Sequence, residues 1–285
     1  MRVVRNRADL RRALQPARRD ERTIGLVPTM GYLHEGHSTL LRAARHRCDV
    51  VVMSLFVNPA QFGRGEDLES YPRDEARDAE LAEREGVDLV YAPPIEEVYP
   101  EGFATSVEVS GHLTEVLCGA PDRRGPGHFR GVTTVVAKLL NSVAPHVAFF
   151  GQKDAQQAIV IKRMVRDLDF DVEIEVLPTV REPDGLAMSS RNAYLSGEER
   201  HRAAALSRAL RAAETVAASG ETSPEVALAA ARAELERAGV EPEYLEARDA
   251  EGLAPAESLN GRPVLVAVAA RVGRARLIDN LVIGG

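Results

Sequence analysis

Short apolar, β-branched runs alternate with helical segments over the first 180 residues of the chain. The runs that predict strands lie at residues 23–27, 50–56, 88–91, 147–150 and 172–177, and the segments that predict helices lie at 9–19, 38–47, 74–85, 132–143 and 155–167. Strands that are apolar on both faces and separated by helices are typical of a parallel sheet covered on both sides. The sequence therefore predicts an α/β fold over residues 1–180, a Rossmann-like doubly wound parallel sheet.

The pattern changes after residue 180. Ser196 and Glu199 form a capping box that starts a helix ending near Gly220, and Pro224 starts a second helix that ends near Gly239. Strand candidates follow at 243–247, 264–272 and 276–283. Helices followed by clustered strands predict a smaller C-terminal α+β domain at residues 181–285.

Composition narrows the class of protein. A formal net charge of -7 argues against a nucleic-acid partner. Two cysteines give no disulfide framework, which fits a reducing, cytoplasmic location. The first residues lack the apolar core of a signal peptide, and no run approaches the ~18 apolar residues of a membrane span. We therefore expect a cytoplasmic protein without a membrane partner.

Two histidines, His34 and His37, stand where the strand at 23–27 gives way to a helix. The carboxyl ends of parallel strands are where open α/β sheets bind ligands, and helix N-termini attract phosphate. The pair therefore indicates transfer of a nucleotidyl group. Metal ligation is an alternative, but the H-E-x-x-H spacing of zinc proteases is absent. Taken alone, the stretch is equally typical of a nucleotide site and of an ordinary loop.

Further polar clusters follow other strands. Asn58 and Gln61, whose amides can hold a carboxylate or hydroxyl, follow the strand at 50–56. Lys153 and Asp154 follow a strand and a glycine, and Gln157 lies one helical turn further on. Lys153 could reach a phosphate, whereas Asp154 could cap the helix or orient a ribose or metal. For Asn58 and Gln61, simple turn chemistry is the competing interpretation.

Three other segments have open interpretations. Residues 188–191, Met-Ser-Ser-Arg, could hold the outer phosphates or serve as a linker. Residues 58–73 could form a mobile loop over the site. Residues 111–131 could be a solvated connector or a basic loop that meets an anion.

Together, these clusters resemble the signature of one family. The matching patterns are P-T-M-G-x-L-H-E-G-H at residues 28–37, F-V-N-P-x-Q-F at 56–62, Y-P-R at 71–73, G-H-F-x-G-V-x-T-V-V at 127–136, F-G-x-K-D within 149–154 and S-S-R-N-x-Y-L at 189–195. In this order and spacing the chain resembles pantothenate synthetase (pantoate–β-alanine ligase) over essentially its full length. That family is related to nucleotidyltransferases with an H-x-G-H signature.

The resemblance implies an ATP-dependent ligation of (R)-pantoate and β-alanine that passes through pantoyl adenylate and gives pantothenate, AMP and pyrophosphate, a step of coenzyme A biosynthesis. It also implies a homodimer with the C-terminal domain as a lid, and ATP as co-substrate with Mg²⁺. Another nucleotidyltransferase, such as a phosphopantetheine adenylyltransferase, would not readily account for Gln61, Gln157 and the second domain. An inactive nucleotide-binding regulator is disfavoured by the intact His34, His37, Lys153 and Arg191.

The resemblance also implies the site residues. The catalytic candidates are His34, His37 and Lys153, with His37 as the best candidate for a proton donor. The candidates for ATP binding are Met30, Gly31, His34, His37, Gly151, Lys153, Asp154, Val180, Met188, Ser189, Ser190 and Arg191. The candidates for pantoate and β-alanine binding are Gln61 and Gln157, with Asn58 and His128 as weaker ones.

The chain departs from the family pattern at three places. Tyr32 replaces a small residue and could narrow the nucleotide entrance, and Ala60 replaces a common methionine and could loosen packing near pantoate. The position of an acidic Mg²⁺ ligand in some members falls near Arg77 and Asp78. Because arginine cannot bind a metal, we assign no protein ligand and expect the ATP phosphates to hold Mg²⁺.

Overall fold

A computed structural model of the chain describes residues 1–63 and 65–284. Within these residues, six strands form one parallel sheet in the order β1-β4-β3-β2-β5-β6. The strands are β1 (Arg2–Val4), β2 (Ile24–Thr29), β3 (Val50–Leu55), β4 (Leu89–Tyr91), β5 (Val147–Gly151) and β6 (Glu173–Leu177). This confirms the predicted sheet. The sequence did not predict β1, which has three residues.

The helices of this region cover both faces of the sheet. They are α1 (Arg7–Arg19), α2 (Glu35–Arg47), α3 (Glu75–Arg84), α4 (Ile95–Val98), α5 (His112–Glu115), α6 (Pro126–Val143) and α7 (Ala155–Asp167). Leu10 and Leu140 belong to the core on one face, and Leu41 and Ala82 belong to the core on the other.

Two boundaries differ from the sequence prediction. Helix α2 begins at Glu35 and not at residue 38, so His34 becomes its N-cap and His37 lies in its first turn. Helix α6 begins at Pro126 and not at residue 132, so the end of the predicted irregular segment is helical. In both cases, the first turn of the helix contains polar residues and glycine, so apolar periodicity did not indicate where the helix begins.

The C-terminal part contains three α-helices and an antiparallel sheet within the described residues. The elements are α8 (Gly197–Ala203), α9 (Ala205–Ala218), α10 (Pro224–Arg237), β7 (Pro242–Asp249), β8 (Val264–Val272) and β9 (Ala275–Ile283). The predicted single helix from residue 196 is therefore interrupted at Ala204. The predicted domain boundary at residue 180 stays a prediction.

The small sheet is covered on both sides. On one face, Val266 and Val268 of β8 belong to a core shared with α9 and α10. On the other face, Leu265 and Ala267 pack in a cluster that contains Phe129 of α6. No helix of the described residues is long and apolar enough to span a membrane.

The strand order reverses direction at β2. The chain runs outward from β2 through β3 and β4, and then returns to place β5 on the other side of β2. In a doubly wound sheet, ligands bind in the crevice beyond the carboxyl ends of the strands at such a switch point. Thr29 at the end of β2 and Gly151 at the end of β5 both lie at this crevice.

Candidate active site

A cavity of about 520 Å³ lies at the switch point, between the large sheet and the C-terminal strands. Of the residues predicted for the site, those on its wall are Met30, His34, His37, Asn58, Gln61, His128, Gly151, Lys153, Asp154, Gln157, Val180, Met188, Ser189, Ser190 and Arg191. Gly31 is the exception, since it packs against Leu55 and Asp78. Residues that the chain separates by more than a hundred positions thus share one cavity.

The turn between β2 and α2 explains the place of Gly31. Gly31 and Tyr32 have φ angles of 90° and 51°, in the left-handed region. A Cβ atom on Gly31 would lie 2.8 Å from Leu55 and 2.9 Å from the carboxylate of Asp78. Gly31 is therefore required by backbone geometry and by close packing.

Asp78 of α3 holds this turn from beneath. Its two carboxylate oxygens accept hydrogen bonds from the backbone N–H groups of Tyr32 and Leu33, both at 2.7 Å. Asp78 is 1% exposed, and this burial raises the pKa of its carboxyl group. A carboxylate buried with two N–H donors is committed to the backbone, so Asp78 fixes the turn that leads to His34.

Backbone N–H groups fix the ring orientation of both histidines at the start of α2. The Nδ1 atom of His34 accepts the N–H of Gly36 at 3.2 Å, and the Nδ1 atom of His37 accepts the N–H of His34 at 3.3 Å. The ring centroids are 4.1 Å apart. Because each Nδ1 is an acceptor, a neutral ring carries its proton on Nε2, and each ring keeps one N–H donor for a ligand.

Both imidazoles are neutral at pH 7. Burial, followed by the charge of Lys153, lowers the pKa of His34 to about 4. Burial, followed by the nearby His34, lowers the pKa of His37 well below its ordinary value. Neutral rings add no charge to the cavity, and their Nε2–H groups can bind an anionic ligand by hydrogen bonds.

Lys153 lies in a 3-10 turn, Gln152–Asp154, between β5 and α7. Its ammonium group is 3.5 Å from the carboxylate of Asp154. Asp154 is the N-cap residue of α7, as predicted, but its side chain makes no capping hydrogen bond, so its carboxylate is left to Lys153. The same turn contacts β9 through Asn280, which accepts from and donates to Gln152.

The segment around Arg191 supplies hydroxyls and a cation. Ser189 accepts the N–H of Arg191 at 3.3 Å, and the Oγ of Ser190 donates to the carbonyl of Tyr32 at 3.2 Å. The guanidinium group of Arg191 donates two hydrogen bonds of 2.8 Å to Asp67. Asp67 belongs to the loop predicted to cover the site, so this loop docks on the segment predicted to hold phosphate.

Amides and a histidine form another part of the cavity wall. Gln61 donates to the sulfur of Met30 at 3.2 Å and accepts from Asn58 at 3.0 Å. Asn58 is 1% exposed and also bonds Gly131 and Tyr99. All polar atoms of the Asn58 side chain are therefore engaged within the protein, which suits a residue that positions Gln61.

His128 also holds the segment around Gln61 in place. Its Nδ1 lies 2.8 Å from the carbonyl of Gln61, and its Nε2 lies 3.1 Å from Arg124. Burial, followed by the charge of Arg124, lowers the pKa of His128 to about 3. Arg124 in turn donates to Glu66 at 2.8 Å. The basic loop recognised in the sequence thus lies at the site, with Arg124 paired to Glu66 and Arg123 paired to Glu246.

The two substitutions relative to the family pattern lie away from the cavity wall. The ring of Tyr32 faces Arg77, whose guanidinium carbon is 5.1 Å from the ring centroid. Tyr32 is not among the residues that line the cavity in the described structure, and the expected narrowing of the nucleotide entrance stays a prediction. A Cβ atom on Gly131 would overlap the backbone carbonyl of Ala60, so α6 passes closely against this backbone.

Several site residues were missed from the sequence. Asp78, Asp67 and Glu66 are ordinary acidic residues in the sequence, and Asn280 and Asp279 lie in a C-terminal strand. Only the last two gave a signal, because two adjacent polar residues interrupt the apolar run at residues 277–283 of β9. Within the described residues, no group of three or more His, Cys, Asp or Glu side chains is arranged to hold a metal ion.

Comparison with known proteins agrees with this geometry. A profile of the pantoate-beta-alanine ligase family matches residues 2–282. The chain belongs to the pantoate–β-alanine ligase family. It is 55% identical to the pantothenate synthetase of Moorella thermoacetica, over 99% of each chain. The resemblance inferred from the motifs is therefore confirmed, and the chain is an enzyme of this ligase family.

Solved structures of the family share the fold. The pantothenate synthetase of Thermus thermophilus matches with a TM-score of 0.92 and 50% identity, over 99% of each chain. The pantoate–β-alanine ligase of Francisella tularensis, complexed with beta-gamma ATP and β-alanine, matches with a TM-score of 0.82 and 31% identity, over 100% of this chain and 99% of that one. The predicted fold class is thereby confirmed.

Proposed function

We propose that this ligase joins (R)-pantoate to β-alanine in two steps within the cavity. In the first, a pantoate carboxylate oxygen attacks the α-phosphorus of ATP, the bond to the bridging oxygen breaks, and pyrophosphate leaves. In the second, the amine of β-alanine attacks the acyl carbon, the acyl–oxygen bond breaks, AMP leaves, and the nitrogen loses its proton. Adenylation turns a poor acceptor for an amine into a good one.

The observation that carries this proposal is the pair of neutral imidazoles fixed beside Lys153. The Nε2–H groups of His34 and His37 donate to phosphate oxygens as charge develops on them. Because both Nδ1 atoms are already bonded, neither ring must reorient during the reaction. Such preorganised donors in a buried site stabilise a transition state more than freely rotating ones.

The cations on the cavity wall suit the β- and γ-phosphates. Lys153 binds phosphate as a point charge, and Arg191 binds it with two N–H groups. Ser189 adds a hydroxyl donor and Ser190 fixes this segment through its bond to Tyr32, while Asp154, Val180, Met188 and the Met30–Gly31 backbone lie on the nucleotide side. The amides of Gln61 and Gln157, on the same cavity wall, hold pantoate without adding charge.

Mg²⁺ enters with ATP in this proposal. The carboxylate of Asp78 is committed to two backbone N–H groups and that of Asp67 to Arg191. Asp154 lies 3.5 Å from the ammonium group of Lys153, and its side chain is 46% exposed. This donor set fits an ion held mainly by phosphates and water, with Asp154 as one carboxylate within reach. The ion would neutralise phosphate charge.

The proposal also includes the cellular location, the oligomeric state and the partners of the enzyme. We place the ligase in the cytoplasm as a homodimer, with small-molecule substrates and without nucleic-acid or membrane partners. Light scattering of the purified chain gives its mass in solution. A mass equal to that of one chain would contradict the dimer.

The proposed chemistry is tested by product analysis and isotope exchange. With ATP, Mg²⁺ and (R)-pantoate, we expect pantoate-dependent exchange of pyrophosphate into ATP, and we expect AMP and pantothenate only after β-alanine is added. ATP binding without either signal would indicate a nucleotide-binding regulator. Exchange with another acid would keep the adenylation and change the substrate.

A matched pair of variants tests the role of the imidazoles. His37→Ala removes one phosphate donor, and we expect turnover to fall by about a hundredfold or more. His46→Ala makes the same change on an exposed turn of α2 and serves as the control. Normal turnover in His37→Ala would remove His37 from the catalytic residues.

A further inference from the structure

Two adjacent polar residues, Asp279 and Asn280, interrupt the apolar sequence of β9. They are 3% and 5% exposed, so both side chains are buried. Buried polar groups are costly unless they are hydrogen-bonded, and both of these are fully engaged with segments of the proposed phosphate site. Burial of this kind calls for an explanation beyond the packing of the small sheet.

Asn280 binds the turn that carries Lys153. Its Nδ2 donates to the backbone carbonyls of Gln152 and Lys153 at 3.0 and 2.9 Å. Its Oδ1 accepts from the side-chain amide of Gln152 at 3.0 Å. A single side chain of the C-terminal sheet thus fixes two successive peptide groups of this turn.

Asp279 binds the segment that leads to Ser189. Its carboxylate accepts two hydrogen bonds from Arg181, at 2.6 and 3.0 Å. Arg181 also donates to the carbonyl of Gly185 and pairs as an isolated β-bridge with Ala187. The segment between residues 181 and 187 is therefore held in shape directly before the serines.

The pleat of a strand explains how one dipeptide serves both segments. Successive side chains of a strand point to opposite faces. Leu277 belongs to the core beneath α9, the face that Asp279 shares, and this core also contains Leu186. Ile278 packs in the cluster with Phe129, the face that Asn280 shares. Strand β9 therefore lies between the two segments and contacts one from each face.

We propose that Asp279 and Asn280 are positioning residues that set the Lys153 turn and the Ser189–Arg191 segment relative to each other. This inference rests on the proposed role of those segments in phosphate binding. The C-terminal sheet then acts as a brace for the phosphate site. A buried, hydrogen-bonded pair suits this role because it specifies one arrangement of the elements it joins.

The substitution Asn280→Asp tests the first contact. It keeps the volume of the side chain but replaces the Nδ2 donor with an oxygen that faces two carbonyls. We expect the KM for ATP to rise at least tenfold and kcat to fall. Asn260→Asp makes the same change at an exposed site of the same domain and is expected to leave both constants unchanged. If Asn280→Asp does not fold, Asn280→Ala removes the donor without adding charge.

A double-mutant cycle separates positioning from a general effect on the fold. ATP affinity is measured by calorimetry with a non-hydrolysable ATP analogue for Asn280→Asp, Lys153→Ala and the double variant. If Asn280 acts through Lys153, its substitution weakens binding at least tenfold in the parent and less than threefold in Lys153→Ala. Equal losses in both backgrounds would overturn the inference.

The remaining outcomes distinguish this inference from the proposed function. Unchanged affinity in Lys153→Ala overturns the phosphate role of Lys153. Weakened affinity in Lys153→Ala with unchanged affinity in Asn280→Asp overturns the positioning role alone. For Asp279, we expect Asp279→Asn to raise the KM for pyrophosphate in the exchange reaction at least fivefold, and an unchanged KM contradicts its role.

Discussion

Asp78 offers the sharpest test of how the histidine turn is held. The substitution Asp78→Asn keeps the shape of the side chain but leaves only one acceptor atom for two N–H groups. One of the two backbone N–H groups, that of Tyr32 or Leu33, then donates its hydrogen bond to an uncharged amide oxygen, and the other N–H group faces the NH₂ group of the asparagine. The variant therefore changes two contacts without creating a cavity.

The magnitude follows from these two contacts. A hydrogen bond to a charged group contributes about 1.5–3 kcal/mol, and a buried donor without a partner costs about 1–3 kcal/mol. Because burial raises the pKa of Asp78, desolvation of the carboxylate already offsets part of this gain. We therefore expect the free energy of unfolding to fall by about 3 kcal/mol, near the lower end of the combined range.

The turn leads directly to His34, so activity should fall as well. A displacement of about 1 Å at a catalytic group can lower a rate by about a hundredfold. We expect kcat for AMP formation to fall between tenfold and a hundredfold, on the order given by that displacement. The assays are urea denaturation and the initial rate of AMP release under conditions where the variant is fully folded.

Asp74→Asn is the matched control on the same helix. Asp74 caps α3 by accepting the N–H of Arg77 at 3.1 Å, and asparagine caps a helix about as well as aspartate. We expect this variant to lose less than about 0.5 kcal/mol and to keep its turnover. If Asp78→Asn matched Asp74→Asn in both assays, the turn would not depend on the buried carboxylate, and the argument would fail.

Three other predictions concern pH, loop docking and backbone packing. The pKa of His34 is lowered to about 4 and that of His128 to about 3, whereas both histidines have a pKa near 6.5 in the unfolded chain. Because the unfolded chain therefore binds more protons as the pH falls below about 6.5, the free energy of unfolding decreases, by about 1 kcal/mol per histidine at about pH 5.5. Urea denaturation at about pH 7.5 and 5.5 measures this decrease, and equal free energies of unfolding would contradict it. Asp67→Asn removes a carboxylate that competes with phosphate for Arg191, so we expect the KM for ATP to fall about threefold, and a rise would show that Asp67 assists binding. Gly31→Ala places a Cβ within 3 Å of two neighbouring atoms at a φ of 90°, so we expect a loss of about 2–3 kcal/mol in unfolding experiments, and an unchanged value would show that the turn relaxes freely.

Local pattern accounts for most of the fold. Continuous apolar runs predicted the buried parallel strands because both faces of that sheet are covered. The start of α2 was placed too late, since its first turn consists of polar residues and glycine that carry no apolar period. The three-residue strand β1 has one buried residue, which is too little pattern to separate it from a loop.

The wall of the cavity could be predicted for a related reason. His34 and Lys153 each follow the end of a strand, and parallel strands end at one edge of the sheet. Their common place in the cavity therefore follows from topology. The chemistry of the wall is local in sequence, because each side chain lies within a few residues of a strand end.

The residues that hold the cavity-lining segments in place are distant from those segments in the sequence. Asp78 contacts backbone 45 and 46 positions away, and Asn280 contacts backbone 127 and 128 positions away. An acidic residue in a helix or an amide in a strand has no pattern that identifies its distant partner. The exception is instructive, because Asp279 and Asn280 would each be exposed or costly in an isolated sheet. Two buried polar residues in adjacent positions of an apolar strand require partners on both faces, so this pattern predicts a strand held between two polar segments.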